Sequence, residues 1–279
     1  MSHTIFRNDL YIVERHEFAP SDHIVICFDS WRTPQTLDVV PFGHAYLKSR
    51  GINHICVNTG RNSWYQEACM DEIAALIRAA TLGLRRIGYG SSMGGFGALN
   101  YYAALGLDDA LVFCPQYSID PALVPFEKRW LAEAAAIDFR SCTLATPGAV
   151  SRATIVYDPF NVDARHVALI RAHNPVTLFK IPFSGHDPAE YLRRANLVAN
   201  FTADFITGNF DAVAYRRALR ARRRENGRFW LNFSKALWVR GNRDGAVEAA
   251  RRAEACAPDS TEAAAHFANL SRLHQPAPA

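Results

Sequence analysis

The sequence has no long apolar run, no strong charge imbalance and no paired cysteines, and each absence narrows what it can be. No apolar stretch of its 279 residues approaches the roughly 20 that a membrane-spanning helix needs. Met1 to Leu10 carries Arg7, Asn8 and Asp9 and no apolar signal core, so no leader peptide is expected there. Net charge is only +4, from 31 Lys and Arg against 27 Asp and Glu, too mild for a nucleic-acid partner of the whole chain. The six cysteines (Cys27, Cys56, Cys69, Cys114, Cys142, Cys256) are scattered, with no Cys-x-x-Cys pair and no metal-type spacing. Several sit inside apolar runs, where buried free thiols are expected rather than disulfides. The expectation is a reduced, cytoplasmic, soluble protein with no metal, no organic cofactor and no membrane span.

What is present is ordinary globular composition, 49% hydrophobic and 21% charged, in a length that suits one large α/β domain plus a small appendage. Leu10 to Val13 reads as an edge strand. Continuous apolar runs of strand length follow at His23–Phe28, His54–Asn58, Arg86–Tyr89, Ala110–Cys114, Ala153–Tyr157 and Val176–Ile181. Helical patterns lie between them, around Ala45–Ser49, Glu67–Ala80, Met93–Leu105, Pro121–Ala136 and Asp163–Ala172, and another runs from Pro188 to about Phe205. Strands alternating with helices over short connections predict a mostly parallel sheet with helices on both faces. Chemistry on such a sheet sits at the carboxyl ends of the strands.

At one of those ends stands Gly90-Ser91-Ser92-Met93-Gly94, a Gly-x-Ser-x-Gly pentapeptide between a strand and a helix. Small residues at 90 and 94 permit a very tight turn that lifts the Ser92 hydroxyl clear of the sheet. Gly95 and Gly97 let the following helix pack closely on it. The stretch resembles the nucleophile elbow of the α/β-hydrolase family, and the resemblance extends over roughly Asp22 to Phe205. It implies a mostly parallel α/β-hydrolase sheet flanked by helices and a covalent acyl-enzyme formed on Ser92. It also implies an acid and a histidine later in the chain, in that order. His186 follows the last predicted strand in a Gly-His turn, and His44, His54, His166 and His173 are less well placed. Asp158 closes the strand before, and Asp163 is the alternative acid, although it also reads as a helix cap.

In this reading His186 takes the Ser92 proton and Asp158 orients the imidazole. The Met93 amide supplies one oxyanion donor. The second, from the loop after the first buried strand, falls to Ser30, with Asp29 next. Here the chain has Phe28-Asp29-Ser30-Trp31 where the family often carries His-Gly. Trp31, Trp64, Tyr65 and Gln116 follow strand ends and are candidates to line a substrate pocket, with Arg32, Arg61 and Tyr117 beside them. A Trp and Arg lining suits a polar or ring-shaped acyl or sugar ester. The function expected is hydrolysis of a carboxylic ester or thioester. An acyltransferase to or from a sugar hydroxyl would use the same triad, and a third possibility is an inert hydrolase-fold scaffold that recruits a partner through its tail.

From Asp211 the character changes, which sets expected domains at 1–208 and 209–279. A basic helix, Ala214 to Arg224, reads as a solvated face. Trp230, Phe233, Ser234, Leu237, Ala246, Ala250, Ala253 and Pro258 fall at the spacing of a tetratricopeptide repeat, about 227–260, and Thr261–Leu273 resembles a capping helix. One such repeat cannot bury its own apolar face. Docking in cis, a homodimer or a protein partner would cover it.

Overall fold

The computed structural model describes residues 1–140 and 142–274. Its sheet has eight strands: β1 (Ser2–Arg7), β2 (Tyr11–His16), β3 (His23–Phe28), β4 (His54–Thr59), β5 (Arg85–Ser91), β6 (Asp109–Phe113), β7 (Ala153–Tyr157) and β8 (Val176–Lys180). They lie in the order β1-β2-β4-β3-β5-β6-β7-β8. The first two form an antiparallel edge on β4, whereas β4, β3, β5, β6 and β7 pair in parallel. The parallel strands are the apolar runs of the sequence, and β3, β4 and β6 are buried almost throughout. β1 has no apolar run, and its largely exposed Ser2, His3 and Thr4 give no periodicity that would have announced it.

The described residues also form twelve α-helices. They are α1 (His44–Ser49), α2 (Cys69–Ala80), α3 (Met93–Asn100), α4 (Tyr102–Leu105), α5 (Leu131–Ala135), α6 (Asp163–His173), α7 (Pro188–Arg194), α8 (Val198–Thr207), α9 (Ala212–Arg222), α10 (Gly227–Val239), α11 (Arg243–Cys256) and α12 (Thr261–His274). α2 buries Met70, Ile73, Ala74 and Ile77 on one stripe and carries Asp71 and Glu72 at its amino end, where the helix dipole favours them. Every residue of α3 is buried.

Three helices expected from the sequence come out differently, the first of them 93–105, which divides at Tyr101 into α3 and α4. The stretch 121–136 is mainly turns, with only α5 helical. Pro121 and Pro125 interrupt the amide ladder there. The single helix expected from Pro188 to Phe205 is two, because Asn196 takes a left-handed conformation (φ 52°) after α7. The Leu197 amide then bonds back to the Leu192 carbonyl at 2.9 Å, closing α7.

By contacts the chain forms two compact units. The first comprises residues 1–156 and 162–179, and the second 157–161 and 180–279. Residue 209 lies inside the second unit. Within that unit α10 and α11 pack closely, and Leu231 meets Ala253 and Ala263 in one small core. Ala246, Ala250 and Leu270 form another core with Leu237, Val247 and Phe267 around it. Asn242 caps α11 by accepting the Gly245 amide at 2.9 Å.

Candidate active site

In the first unit, β5 runs into α3 through Ser92, whose backbone is held at φ 54°, ψ −119°. This is a strained region for a residue with a side chain. The glycines around it explain why the turn forms. A Cβ on Gly94 would collide with the Phe28 carbonyl oxygen and lie 2.8 Å from that of Asp29. One on Gly90 would strike the Gly94 carbonyl. Further along, a Cβ on Gly97 would come within 2.7 Å of the Tyr65 ring and 2.8 Å of the Phe28 ring. The end of β3 is thereby pressed against the start of α3. Met93 is the first residue of α3, so its amide is among those that no helical carbonyl can satisfy.

The Ser92 hydroxyl accepts from Gln116 Nε2 at 3.2 Å. Gln116 is fully buried. Its Nε2 also donates to the Cys114 carbonyl at 3.1 Å, and its Oε1 accepts from the Trp64 indole at 3.1 Å. Trp64, itself buried with φ 50°, packs at a tilt against Trp130 with ring centres 5.3 Å apart. Ser30 stands beside the elbow, its hydroxyl donating to the Ser91 carbonyl at 3.0 Å. The Asp29 carboxylate is buried and engaged by Arg32 (2.8 Å) and by the amides of Phe42 (2.8 Å) and Thr59 (3.2 Å). Its own carbonyl accepts the Tyr65 hydroxyl at 2.8 Å. Tyr65 is therefore a packing residue at the foot of the elbow, 1% exposed. Arg32 is likewise tied down, bonding Asn58 and the carbonyls of Thr36 and Thr59 besides Asp29. Trp31 is 40% exposed and donates to Glu133 at 2.6 Å.

A cleft of about 650 Å³ opens in the same unit, lined mainly by polar side chains such as Gln35, Arg61, Gln66, Glu67, Glu133 and Arg140. Ser92 is not among its lining residues. Ser63 and Gln66 are, and the loop that bears them also bears Trp64, which is bonded through Gln116 to the serine.

Asp163 is fully buried and pairs with Arg129 at 2.8 Å. Arg129 also grips Glu127 at 2.6 Å, and Glu127 accepts from His166 Nε2 at 2.8 Å while His166 Nδ1 accepts the Tyr117 amide. Burial pushes the Glu127 carboxyl up, but its bonds to His166 and Arg129 outweigh that and hold it far below the usual range. This four-residue network left no signal in the sequence, because its members lie up to 39 residues apart and converge only through the fold.

In the second unit, Asp158 is buried at the end of β7 and accepts the amides of Phe160 (2.9 Å) and Gly185 (2.8 Å). The second bond ties the carboxylate to the turn that carries His186. That turn uses left-handed backbone at Phe183 (φ 62°) and Gly185 (φ 71°). Asp187 follows as the cap of α7, accepting the Glu190 amide at 3.0 Å.

No protein-family model and no curated protein matches the sequence. Among solved structures, the capsule O-acetyltransferase of Neisseria meningitidis serogroup A superposes with a TM-score of 0.52 at 12% identity, over 72% of this chain and 93% of that one. Alpha/beta hydrolase domain-containing protein 10 from mouse gives 0.51 at 10%, over 75% and 99%. A truncated carbohydrate esterase from gut microbiota gives 0.51 at 14%, over 75% and 96%. With a mostly parallel eight-stranded sheet and a serine elbow between β5 and α3, the chain has the α/β-hydrolase fold.

Proposed function

We propose that the protein is a serine hydrolase that cleaves a carboxylic ester or thioester through an acyl-enzyme on Ser92. The observation that carries this reading is the Ser92 elbow. A strained, glycine-flanked serine at the head of a buried helix has no purpose in packing, and strain of this kind persists where it positions a reacting group. Ser92 Oγ attacks the substrate carbonyl carbon while His186 takes its proton. The oxyanion is met by the amides of Met93 and Ser30. Collapse expels the alcohol or thiol, which receives the proton from His186. Water then adds to the acyl carbon, again deprotonated by His186, and the acid leaves with Ser92 restored. Asp158 is assigned the orienting role. Asp163 is already paired with Arg129, whereas Asp158 is bonded to the residue preceding His186. Gln116 and Trp64 hold the serine, and Trp31 stands at the rim.

Acyl transfer to a sugar hydroxyl is the second reading. The polar cleft of about 650 Å³, which Ser63 and Gln66 line although Ser92 does not, favours it, because a polyhydroxylated acceptor needs hydrogen-bonding side chains around it. The fold likeness to a capsule O-acetyltransferase points the same way. In the tail, the burial of Ala246, Ala250 and Ala253 between α10 and its neighbours supports one tetratricopeptide-like repeat. The test is fluorophosphonate labelling with peptide mapping on the wild type, Ser92→Ala and His186→Ala. Label on Ser92 that is lost in both variants supports the activated serine, and a folded wild type that stays unlabelled favours an inert scaffold. Product analysis with and without an added sugar acceptor then separates hydrolysis from transfer.

A further inference from the structure

Towards the end of the parallel strands opposite Ser92, three histidines and a cysteine converge. β2 and β4 pair antiparallel with His16 opposite His54 and Glu14 opposite Cys56, so all four side chains share one face of the sheet. His44, the first residue of α1, comes down onto that face. One ligating atom from each of His16, His44, His54 and Cys56 lies within 4.8 Å of all the others. His44 Nδ1 is 3.0 Å from His54 Nε2 and 3.9 Å from the Cys56 sulfur. Two nitrogens on a tetrahedral zinc stand about 3.3 Å apart, and a nitrogen and a sulfur about 3.6 Å, given Zn–N near 2.0–2.1 Å and Zn–S near 2.3 Å. Both of these separations lie within a few tenths of an ångström of the zinc values.

Two further details point to a ligand. His54 Nδ1 donates to the Ile52 carbonyl at 2.8 Å, which fixes its tautomer and leaves the Nε2 lone pair turned inward, as in metal-bound histidines. His16 Nε2 is buried with no hydrogen-bond partner among the described residues. A buried imidazole nitrogen without a partner is costly unless something fills the gap.

We propose that His16, His44, His54 and Cys56 form a structural zinc site that fastens the β2 edge and α1 to β4. Four protein ligands close the coordination sphere, and mixed imidazole and thiolate donors suit zinc. Binding breaks the Cys56 S–H bond and releases that proton to solvent. The His44 proton moves from Nδ1 to Nε2 with no net change. Glu14, 3.8 Å from His16 Nε2, and Lys48 are the charged side chains that bear on the cluster, one of each sign. Nothing in this site takes part in the proposed acyl chemistry.

The experiment uses the full chain, stripped with a chelator, and titrates it with zinc and separately with cobalt(II). Expected are one zinc per chain at submicromolar affinity, a rise in Tm on loading, and a thiolate-to-cobalt charge-transfer band. Losing a ligand should exceed the 10–100-fold effect of losing an outer partner, so His44→Ala and Cys56→Ser each weaken zinc binding by roughly 100-fold or more. Cys56→Ser also removes the charge-transfer band, whereas the exposed His173→Ala changes neither. His44 lies at the start of a short, partly exposed helix, so its variant stays folded even if Cys56→Ser does not. Folded wild type that takes up no zinc, or His44→Ala that binds it as the wild type does, overturns the proposal.

Discussion

The side-chain amide of Asn232 donates to the Phe183 carbonyl at 3.1 Å, so α10 is bonded to the turn that carries His186. The same amide would lie 2.9 Å from a Cβ on Gly185. Around this bond Phe183 stacks on Phe160 of the Asp158 loop, ring centres 4.8 Å apart. On its other side it meets Phe233 at 5.1 Å and Phe229 at 5.6 Å, both from α10. Phe229 and Phe233 of α10 thus pack on the turn that carries His186, and that turn stacks on the loop after Asp158.

Asn232→Ala removes this bond and the one from the same amide to the Arg228 carbonyl, each worth about 1 kcal/mol, and leaves the rings in place. On the proposed mechanism kcat falls by about 3–10-fold with KM nearly unchanged, while Tm shifts by only a few degrees. Steady-state ester hydrolysis beside thermal melts checks this, and a fall in Tm with kcat intact would remove the positioning role.

Asp158→Asn and Asp163→Asn should separate cleanly. On the proposed mechanism the first takes away the orienting carboxylate and lowers kcat by roughly three to four orders of magnitude, with Ser92 still in place. The second breaks a buried pair with Arg129, so it costs stability, about 3 kcal/mol, and leaves kcat within about tenfold. Reversed results would transfer the acid role to Asp163.

Gly94→Ala places a methyl group on the Phe28 carbonyl oxygen, a backbone atom that cannot swing away. The expected loss is about 3 kcal/mol or more, or failure to fold. Chemical denaturation measures it. Gly51→Ala, at a glycine with nothing within 4 Å, is the comparison for a turn glycine whose only cost is its φ of 65°.

Glu127→Gln tests the buried network by its pH dependence. The folded-state carboxyl titrates well below its unfolded value of about 4.5. Its contribution is therefore present in full above that value and is lost as the pH falls, because only the unfolded chain then takes up the proton. The variant should be less stable than the wild type by about 3 kcal/mol at pH 7, and the gap should narrow below about pH 4.5. Urea titrations at the two pH values decide it, and a constant gap would mean that the carboxylate charge contributes nothing.

The sequence by itself determined the alternation of apolar strands and amphipathic helices, because each element writes its own period, and it determined the elbow, because only glycines fit at 90 and 94. The serine's strained backbone was legible for the same reason. It did not show β1, whose polar side chains carry no period, nor the breaks at 121–130 and Asn196, where local prolines and a left-handed residue override helical spacing. Contacts across long separations were decided only by tertiary structure. Gln116 reaches Ser92 over 24 residues, Asn232 reaches the histidine turn over 49, and His16 meets His54 only because β2 and β4 pair in that one register. Spacing along the chain records local geometry, whereas these groups are brought together by the order and register of strands, which no single stretch of residues contains.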